Sequence, residues 1–77
     1  MKKKLLLRSA DPNEIAELVK QMRAAAEMTQ ATLSDQIGLG RSSLANIERG
    51  QHTISLADLM KIAEVTGHTM TILVTDR

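Results

Sequence analysis

The 77-residue sequence contains no cysteine, phenylalanine, tyrosine or tryptophan. Without cysteine it has no disulfide framework, no thiolate metal site and no thiol nucleophile. Without those aromatic side chains it lacks the platforms on which single strands and RNA bases stack, which argues against a reader of single-stranded nucleic acid or RNA. The core has to be built from Leu, Ile, Val, Met and Ala alone.

Long hydrophobic runs are also absent. No stretch approaches the length of a membrane span, and Lys2 to Leu7 is too short for a signal sequence, so we expect a cytoplasmic protein. A chain of this size forms one domain whose core is only marginally sufficient, and a second subunit would help.

Basic charge is scarce outside the N-terminus. Residues 1–8 carry four basic side chains and no acid, whereas residues 9–77 carry six basic and nine acidic side chains. A strongly basic domain would indicate phosphate binding by itself, and this balance does not.

Residues suited to catalysis or metal binding do not form a recognisable motif. His52 and His68 are sixteen residues apart without cysteine or acidic ligands at metal-site spacing, so we interpret them as solvated loop residues. Ser42 and Ser43 lack the sequence context of a known nucleophile. We therefore expect no metal, no cofactor and no enzymatic activity.

The stretch from Thr29 to Gly50 predicts two short helices joined by a tight turn. Leu33 and Ile37 are four residues apart, and Leu44 and Ile47 are three apart, so each pair marks one buried helical face. Gly38 interrupts the pattern and can adopt a positive φ at little steric cost. This arrangement is typical of a helix-turn-helix.

The outward face of the second of these helices carries polar side chains suited to base edges. Arginine can form two hydrogen bonds with guanine, asparagine can do so with adenine, and short hydroxyl groups can reach bases or phosphates. The alternative interpretation is a solvated polar face. The exposed face is predicted to contain Arg41, Ser42, Ser43, Ala45, Asn46 and Arg49.

The predicted helix-turn-helix resembles that of the Cro and phage-repressor family of regulators, the lambda-repressor-like or XRE-type domain. The similarity extends from about Ile15 to Gly67, with Ser34 where the family usually has alanine. The matching residues are Thr29-Gln30, Leu33, Ile37-Gly38, Leu44 and Ile47-Glu48-Arg49-Gly50.

The resemblance implies a mainly α fold of four to five helices and a role for particular residues. Gln30 would bind a phosphate and brace the recognition helix, the loop containing Thr53 would touch the DNA backbone, and Arg23 would form an ion pair with Glu48. Together with the exposed helix face, the expected DNA-binding residues are Gln30, Arg41, Ser42, Ser43, Asn46, Arg49 and Thr53.

Flanking helices are predicted on both sides of the motif. Asp11, Pro12 and Glu14 form a capping-box start for a helix that ends near Ala26 or Glu27, with Ile15, Leu18, Val19 and Met22 buried. Ser55 and Asp58 begin a last helix that ends at Gly67. Its predicted buried face contains Leu56, Leu59, Met60, Ile62, Ala63 and Val65.

Both ends of the chain are predicted to lie outside this domain, which spans residues 11–67. Residues 1–10 form a basic arm that is either a frayed tail or a short strand, and its lysines can reach DNA phosphates. Residues 68–77 contain a predicted strand, Thr69 to Thr75, in which Met70, Ile72 and Val74 alternate with Thr69, Thr71 and Thr75.

A strand needs a partner for its backbone groups, and we expect a second copy to supply it. Candidate partners also include the arm of the same or another chain. A short C-terminal strand after the helical domain resembles the HipB-type antitoxins, so Met70, Ile72 and Val74 are the expected dimer interface.

The sequence therefore predicts a homodimeric, sequence-specific regulator of double-stranded DNA, most simply a repressor that binds a pseudo-palindromic operator. One alternative is an antitoxin-type protein that neutralises a partner toxin and autoregulates its own promoter. A helical module without DNA binding is a weaker alternative, because the face containing Arg41, Ser42, Ser43 and Asn46 opposes it.

Overall fold

The structure, a computed structural model, describes Leu7 and residues 11–76. This part of the chain is mainly α and contains four helices: α1 (Pro12–Ala25), α2 (Gln30–Ile37), α3 (Arg41–Glu48) and α4 (Leu56–Val65). Of the predicted basic arm, residues 1–10, only Leu7 is described, so the strand and DNA-contact predictions for it lie outside the described residues.

Three of the four helices begin at a side chain that accepts a backbone hydrogen bond. Asp11 Oδ1 accepts from the Asn13 N–H (2.8 Å), with Pro12 at the first helical position. Thr29 and Ser55 cap α2 and α4 in the same manner. These caps satisfy donors that have no partner within the helix, so the local sequence fixes where each helix starts.

One apolar core joins all four helices. α1 packs against α3 and α4, and α2 packs against the same two helices. Each helix contributes one of the four largest side chains that are completely buried, which are Val19, Leu33, Leu44 and Ile62. Aliphatic residues alone therefore close the core, and α3 is held on its inner face by both α1 and α2.

The prediction that Leu56 and Met60 belong to the buried face of α4 is wrong. Their exposed fractions are 54% and 47%, whereas Leu59, Ile62 and Ala63 are buried. The two exposed residues lie one turn apart on the same side of the buried stripe. Helical spacing groups residues on a face, but it does not tell how far the neighbouring helices extend over that face.

The predicted C-terminal strand is not seen in the described part of the chain. Residues 68–76 form neither helix nor strand. Met70 packs against the core, but Leu73 and Val74 are 84% and 88% exposed. A strand is stable only when another strand satisfies its backbone groups, and the described residues of this single chain offer none.

His68 also departs from the prediction of a solvated loop residue, although His52 is exposed as expected. The Thr66 hydroxyl donates to the Ile62 carbonyl (2.7 Å) and lies 3.0 Å from His68 Nδ1, within hydrogen-bond distance. His68 is half-buried, and its backbone N–H donates to the Ala63 carbonyl (2.7 Å). It thus helps to end α4.

Two further features are absent from the described residues. None of their helices is long and apolar enough to span a membrane. Within the same residues, His, Asp and Glu side chains do not cluster in a way that could hold a metal ion.

Candidate nucleic-acid interface

The turn between α2 and α3 is set by Gly38. Its φ is +71°, a region that other residues enter only at a steric cost. The Gly38 N–H donates to the Asp35 carbonyl (3.3 Å) and the Leu39 N–H to the Ser34 carbonyl (3.0 Å), which ends α2. Two residues later the chain enters α3.

Ser34 lies buried beside this turn, where the family usually has alanine. Its hydroxyl donates to the Ala31 carbonyl at 3.0 Å within α2. The hydrogen bond satisfies the polar group, so a serine fits here without an unpaired donor in the interior.

α3 divides into a buried face and an exposed face. Leu44 and Ile47 point into the core. Arg41, Ser42 and Arg49 are exposed, and Ser43, Ala45 and Asn46 are half-buried. The exposed side chains are hydrogen-bond donors and acceptors of the kind that read base edges in a major groove.

The C-terminal end of α3 is anchored to α1 and α2 by a polar network around Glu48. Arg23 of α1 donates two parallel hydrogen bonds to this carboxylate, Nε to Oε2 (2.7 Å) and an Nη to Oε1 (2.8 Å). The Gln30 amide of α2 donates to the same Oε1 (3.0 Å). Arg23 also donates to the Met28 carbonyl (2.9 Å), which includes the α1–α2 loop in the network.

This network is largely shielded from water. The Glu48 side chain is only 3% exposed and the Arg23 side chain 23% exposed. Burial alone would raise the pKa of Glu48, but the hydrogen bonds from Arg23 and Gln30 and the nearby positive charges outweigh it, so this pKa lies below its ordinary 4.5. The hydrogen bond to Glu48 raises the pKa of Arg23 in turn. Both groups therefore stay charged near neutral pH.

Arg49 and Asn46 form a hydrogen-bonded pair on the exposed side of α3. The Arg49 guanidinium donates to Asn46 Oδ1. In the part of the chain that the structure describes, neither Arg49 nor Arg41 forms an ion pair. The cations on this face are therefore available to a phosphate or a base.

A helix-turn-helix family model, HTH_3, matches residues 19–73, which is more than half of the chain. The chain belongs to this helix-turn-helix family. A similar structure is the restriction-modification controller protein C.AhdI from Aeromonas hydrophila, at 31% sequence identity and a TM-score of 0.70, covering 79% of this chain and 92% of that one. The protein is thus a DNA-binding regulator of the Cro and phage-repressor type.

More distant structures share the fold of this helix-turn-helix protein. A "HipB-O4 20mer complex" is 22% identical with a TM-score of 0.68, covering 92% of this chain and 100% of that one. A "HipA-HipB-O2-O3 complex" is 24% identical with a TM-score of 0.67 and the same coverage. No functionally curated protein matches the sequence.

The structure brings most of the residues predicted for the site of this helix-turn-helix protein onto or next to α3. Arg23 and Glu48 are in contact as an ion pair. Gln30 reaches Glu48 from α2, and Thr53 is exposed in the loop after α3. Met70, Ile72 and Val74, predicted as a dimer interface, lie in the irregular C-terminal segment.

One packing contact at the end of α3 was missed by the sequence analysis. Gly50 has a φ of +74°, and a Cβ at this position would overlap the side-chain oxygen of Asn13 at the start of α1. The Ile47-Glu48-Arg49-Gly50 run was the available signal, but a single sequence does not tell which element approaches a glycine. The close approach seats the end of α3 against α1.

Proposed function

We propose that this protein is a homodimeric repressor that binds a pseudo-palindromic operator in double-stranded DNA by placing α3 in the major groove. The observation that carries the proposal is the division of α3 into a buried apolar face and a polar face, on which Arg41 and Ser42 are exposed and Asn46 is half-buried. Arginine at such a position can form paired hydrogen bonds with guanine, and an asparagine amide can hydrogen-bond a base edge. The protein acts by binding rather than catalysis, in the cytoplasm where its operator lies.

The polar network behind α3 supports this role. A recognition helix discriminates between bases only when its orientation relative to the rest of the domain is fixed. Glu48 fixes the C-terminal end of α3 through Arg23 and Gln30, on two different helices. Gln30 has a second amide hydrogen that can reach a phosphate, so one side chain can connect the backbone contact to the recognition helix.

The C-terminal segment is the proposed dimer interface. Ile72, Leu73 and Val74 are exposed apolar residues in a segment with no secondary structure of its own. Pairing with the antiparallel segment of a second copy would satisfy both backbones and cover Met70, Ile72 and Val74. Two copies related by a two-fold axis then present two α3 helices to successive major grooves.

Selection from randomised duplex DNA tests this function directly. We expect the intact protein to enrich a pseudo-palindrome whose half-sites are centred about 34 Å apart, one helical turn. Footprinting on the selected site should protect both halves together. Enrichment of no sequence, or of a single half-site without symmetry, would contradict the proposal.

A second candidate function is that of an antitoxin-type protein with a protein partner. The observation that favours it is the exposed apolar pair Leu56 and Met60 on α4, which the described part of this chain leaves uncovered. One similar fold comes from a complex of HipA with HipB. In this alternative, DNA binding serves to autoregulate the promoter.

Co-purification from the native host distinguishes the two functions. An antitoxin should retain a stoichiometric protein partner, and Leu56→Gln with Met60→Gln should release that partner while operator binding persists. If the partner binds the double variant equally well, this surface of α4 is not its site. If only DNA and a second copy of the chain co-purify, the antitoxin function is contradicted and the repressor function is supported.

A further inference from the structure

The side-chain amide of Asn46 has one defined orientation in this structure. A guanidinium group only donates hydrogen bonds, so the Asn46 atom that faces Arg49 must be the oxygen. The amide NH2 group is then the end left for another ligand. The polarity of the amide is thus assigned by its neighbour.

Arg49 is well placed to hold this orientation because its own backbone is anchored on both sides. It caps the C-terminal end of α3 directly after Glu48, and its N–H donates to the Ala45 carbonyl (3.1 Å). The preceding Glu48 is fixed by Arg23, and the following Gly50 packs closely on Asn13. The guanidinium therefore extends from a fixed point next to Asn46.

We infer that Arg49 is a positioning residue for sequence recognition, which holds the Asn46 amide so that its NH2 group faces the base edges. The inference rests on the proposed function, in which α3 enters the major groove. A free asparagine can offer its oxygen and its NH2 group together, as in the paired contact with adenine. When Arg49 holds the oxygen, the group directed at the bases is the NH2 donor.

A contact made through the NH2 group predicts which bases are accepted opposite Asn46. Guanine N7 and O6, adenine N7 and thymine O4 are acceptors in the major groove, whereas cytosine presents only its amino donor there. The position read by Asn46 should therefore accept several bases and reject cytosine.

The test uses the selected operator and four duplexes that differ only at the position where Asn46→Ala changes the preference. We expect the wild-type protein to bind the cytosine duplex about fivefold more weakly than the best of the others, which corresponds to one hydrogen bond. Arg49→Ala should reduce this discrimination to within about twofold and leave the preference at the other positions intact.

Varying the salt concentration distinguishes a positioning role of Arg49 from the simple loss of its positive charge. Lowering the salt concentration strengthens binding to all four duplexes together, so it can restore the affinity of Arg49→Ala but not its discrimination. If Arg49→Ala weakens all four duplexes equally and still rejects cytosine, Arg49 is only a phosphate contact and the inference is wrong. Circular dichroism of Arg49→Ala should match that of the wild-type protein, because the side chain is exposed.

The same experiments distinguish failure of the proposed function from failure of the positioning role of Arg49. If no sequence is enriched, or if neither Arg41→Ala nor Asn46→Ala alters any position, α3 does not read bases at all. If Asn46→Ala changes one position but Arg49→Ala leaves it unchanged, only the positioning role of Arg49 is contradicted. Asn46→Asp provides a second readout, because a carboxylate held by Arg49 has no donor and should reverse the preference toward cytosine.

Discussion

At the scale of single residues, Glu48 stands out as the one charged residue that is buried in the described part of the chain. It is a carboxylate with an almost completely buried side chain, and it accepts hydrogen bonds from Arg23 and Gln30. Taking a charge out of water is costly unless its partners remain in place. The pair therefore makes the stability of the domain sensitive to either partner and to pH.

We expect Arg23→Met to lower the free energy of unfolding by about 3 kcal/mol at pH 7, because it leaves the buried Glu48 charge unpaired. In this variant burial raises the pKa of Glu48 above its unfolded value, so the penalty shrinks as the carboxyl group is protonated. In the wild-type protein the pKa of Glu48 is lowered, so the pH dependence is opposite. The charged carboxylate contributes stability above about pH 4.5, and this stability is lost on acidification.

Urea unfolding at pH 7 and pH 4 measures this difference. The gap between wild type and Arg23→Met should be smaller at pH 4. Lys61→Met is the control, because Lys61 lies at the surface in a loose ion pair with Asp58 (3.8 Å) and should change the stability by less than about 0.5 kcal/mol at both pH values. A gap that is equal or larger at pH 4 would mean that Glu48 is not held in its charged form by Arg23.

A second residue-scale prediction concerns Glu27, a non-glycine residue with a φ of +56° after α1. Its left-handed conformation allows the Met28 N–H to donate to the Arg23 carbonyl (3.1 Å) and end the helix. We expect Glu27→Gly to raise the free energy of unfolding by about 0.5 kcal/mol, since glycine adopts this conformation freely but loses more entropy on folding. Thermal unfolding of Glu27→Ala, which keeps the strain, should show no such gain, and equal gains in both variants would implicate the charge instead.

At the scale of elements, the seating of α3 on α1 should be visible in two glycine variants. The Cβ added by Gly38→Ala would lie in open space, so we expect the free energy of unfolding to fall only by the cost of a positive φ, about 1 kcal/mol. Gly50→Ala has the same strain and also requires the exposed side chain of Asn13 to rotate away, so we expect a slightly larger loss of stability, about 1.5 kcal/mol. Denaturant unfolding of the double variant Asn13→Ala/Gly50→Ala should recover this small difference. If Gly50→Ala costs clearly less than Gly38→Ala, Gly50 does not have the strained conformation and close neighbour described.

The elements also show how far the sequence determines this fold. Asp11, Thr29 and Ser55 predicted the three capped helix starts because a cap is a local interaction between neighbouring residues. Gly38 predicted the turn for the same reason. Exposure of Leu56 and Met60 could not be predicted in this way, because it depends on which surfaces other helices cover.

Two side-chain pairs differ in how far the sequence could predict them. The resemblance to a known family brought Arg23 and Glu48 together across 25 residues, a contact that no local pattern indicates. The Asn46–Arg49 hydrogen bond spans only one helical turn and so was open to prediction. It was missed because both residues were assigned to DNA and not to each other.

At the scale of the whole molecule, the C-terminal segment is expected to decide the oligomeric state. The double variant Ile72→Asp/Val74→Asp should be monomeric by light scattering, because it places charge in the proposed strand interface, whereas Thr71→Asp on the opposite face should stay dimeric. Both should retain the helical circular dichroism of the described core. The monomer should also lose most of its operator affinity, since one α3 contacts only one half-site.

Deleting residues 69–77 provides an independent check on that interface. The truncated chain lacks Met70, which packs against the core, so lower stability is expected together with loss of the dimer. A truncated chain that remains dimeric would place the interface on the helices, where Leu56 and Met60 are the exposed apolar candidates.

The central claim, that α3 reads base sequence, is tested most directly by titrating Arg41→Ala against the selected operator and its single-position variants. We expect a loss of about 1–3 kcal/mol on the best site and a relaxed preference at one position, because a paired contact with a base is removed. Lys61→Ala, which removes an exposed cation from α4, should leave the preference at every position unchanged. Equal weakening of Arg41→Ala on all sites, with no position relaxed, would contradict base readout by α3.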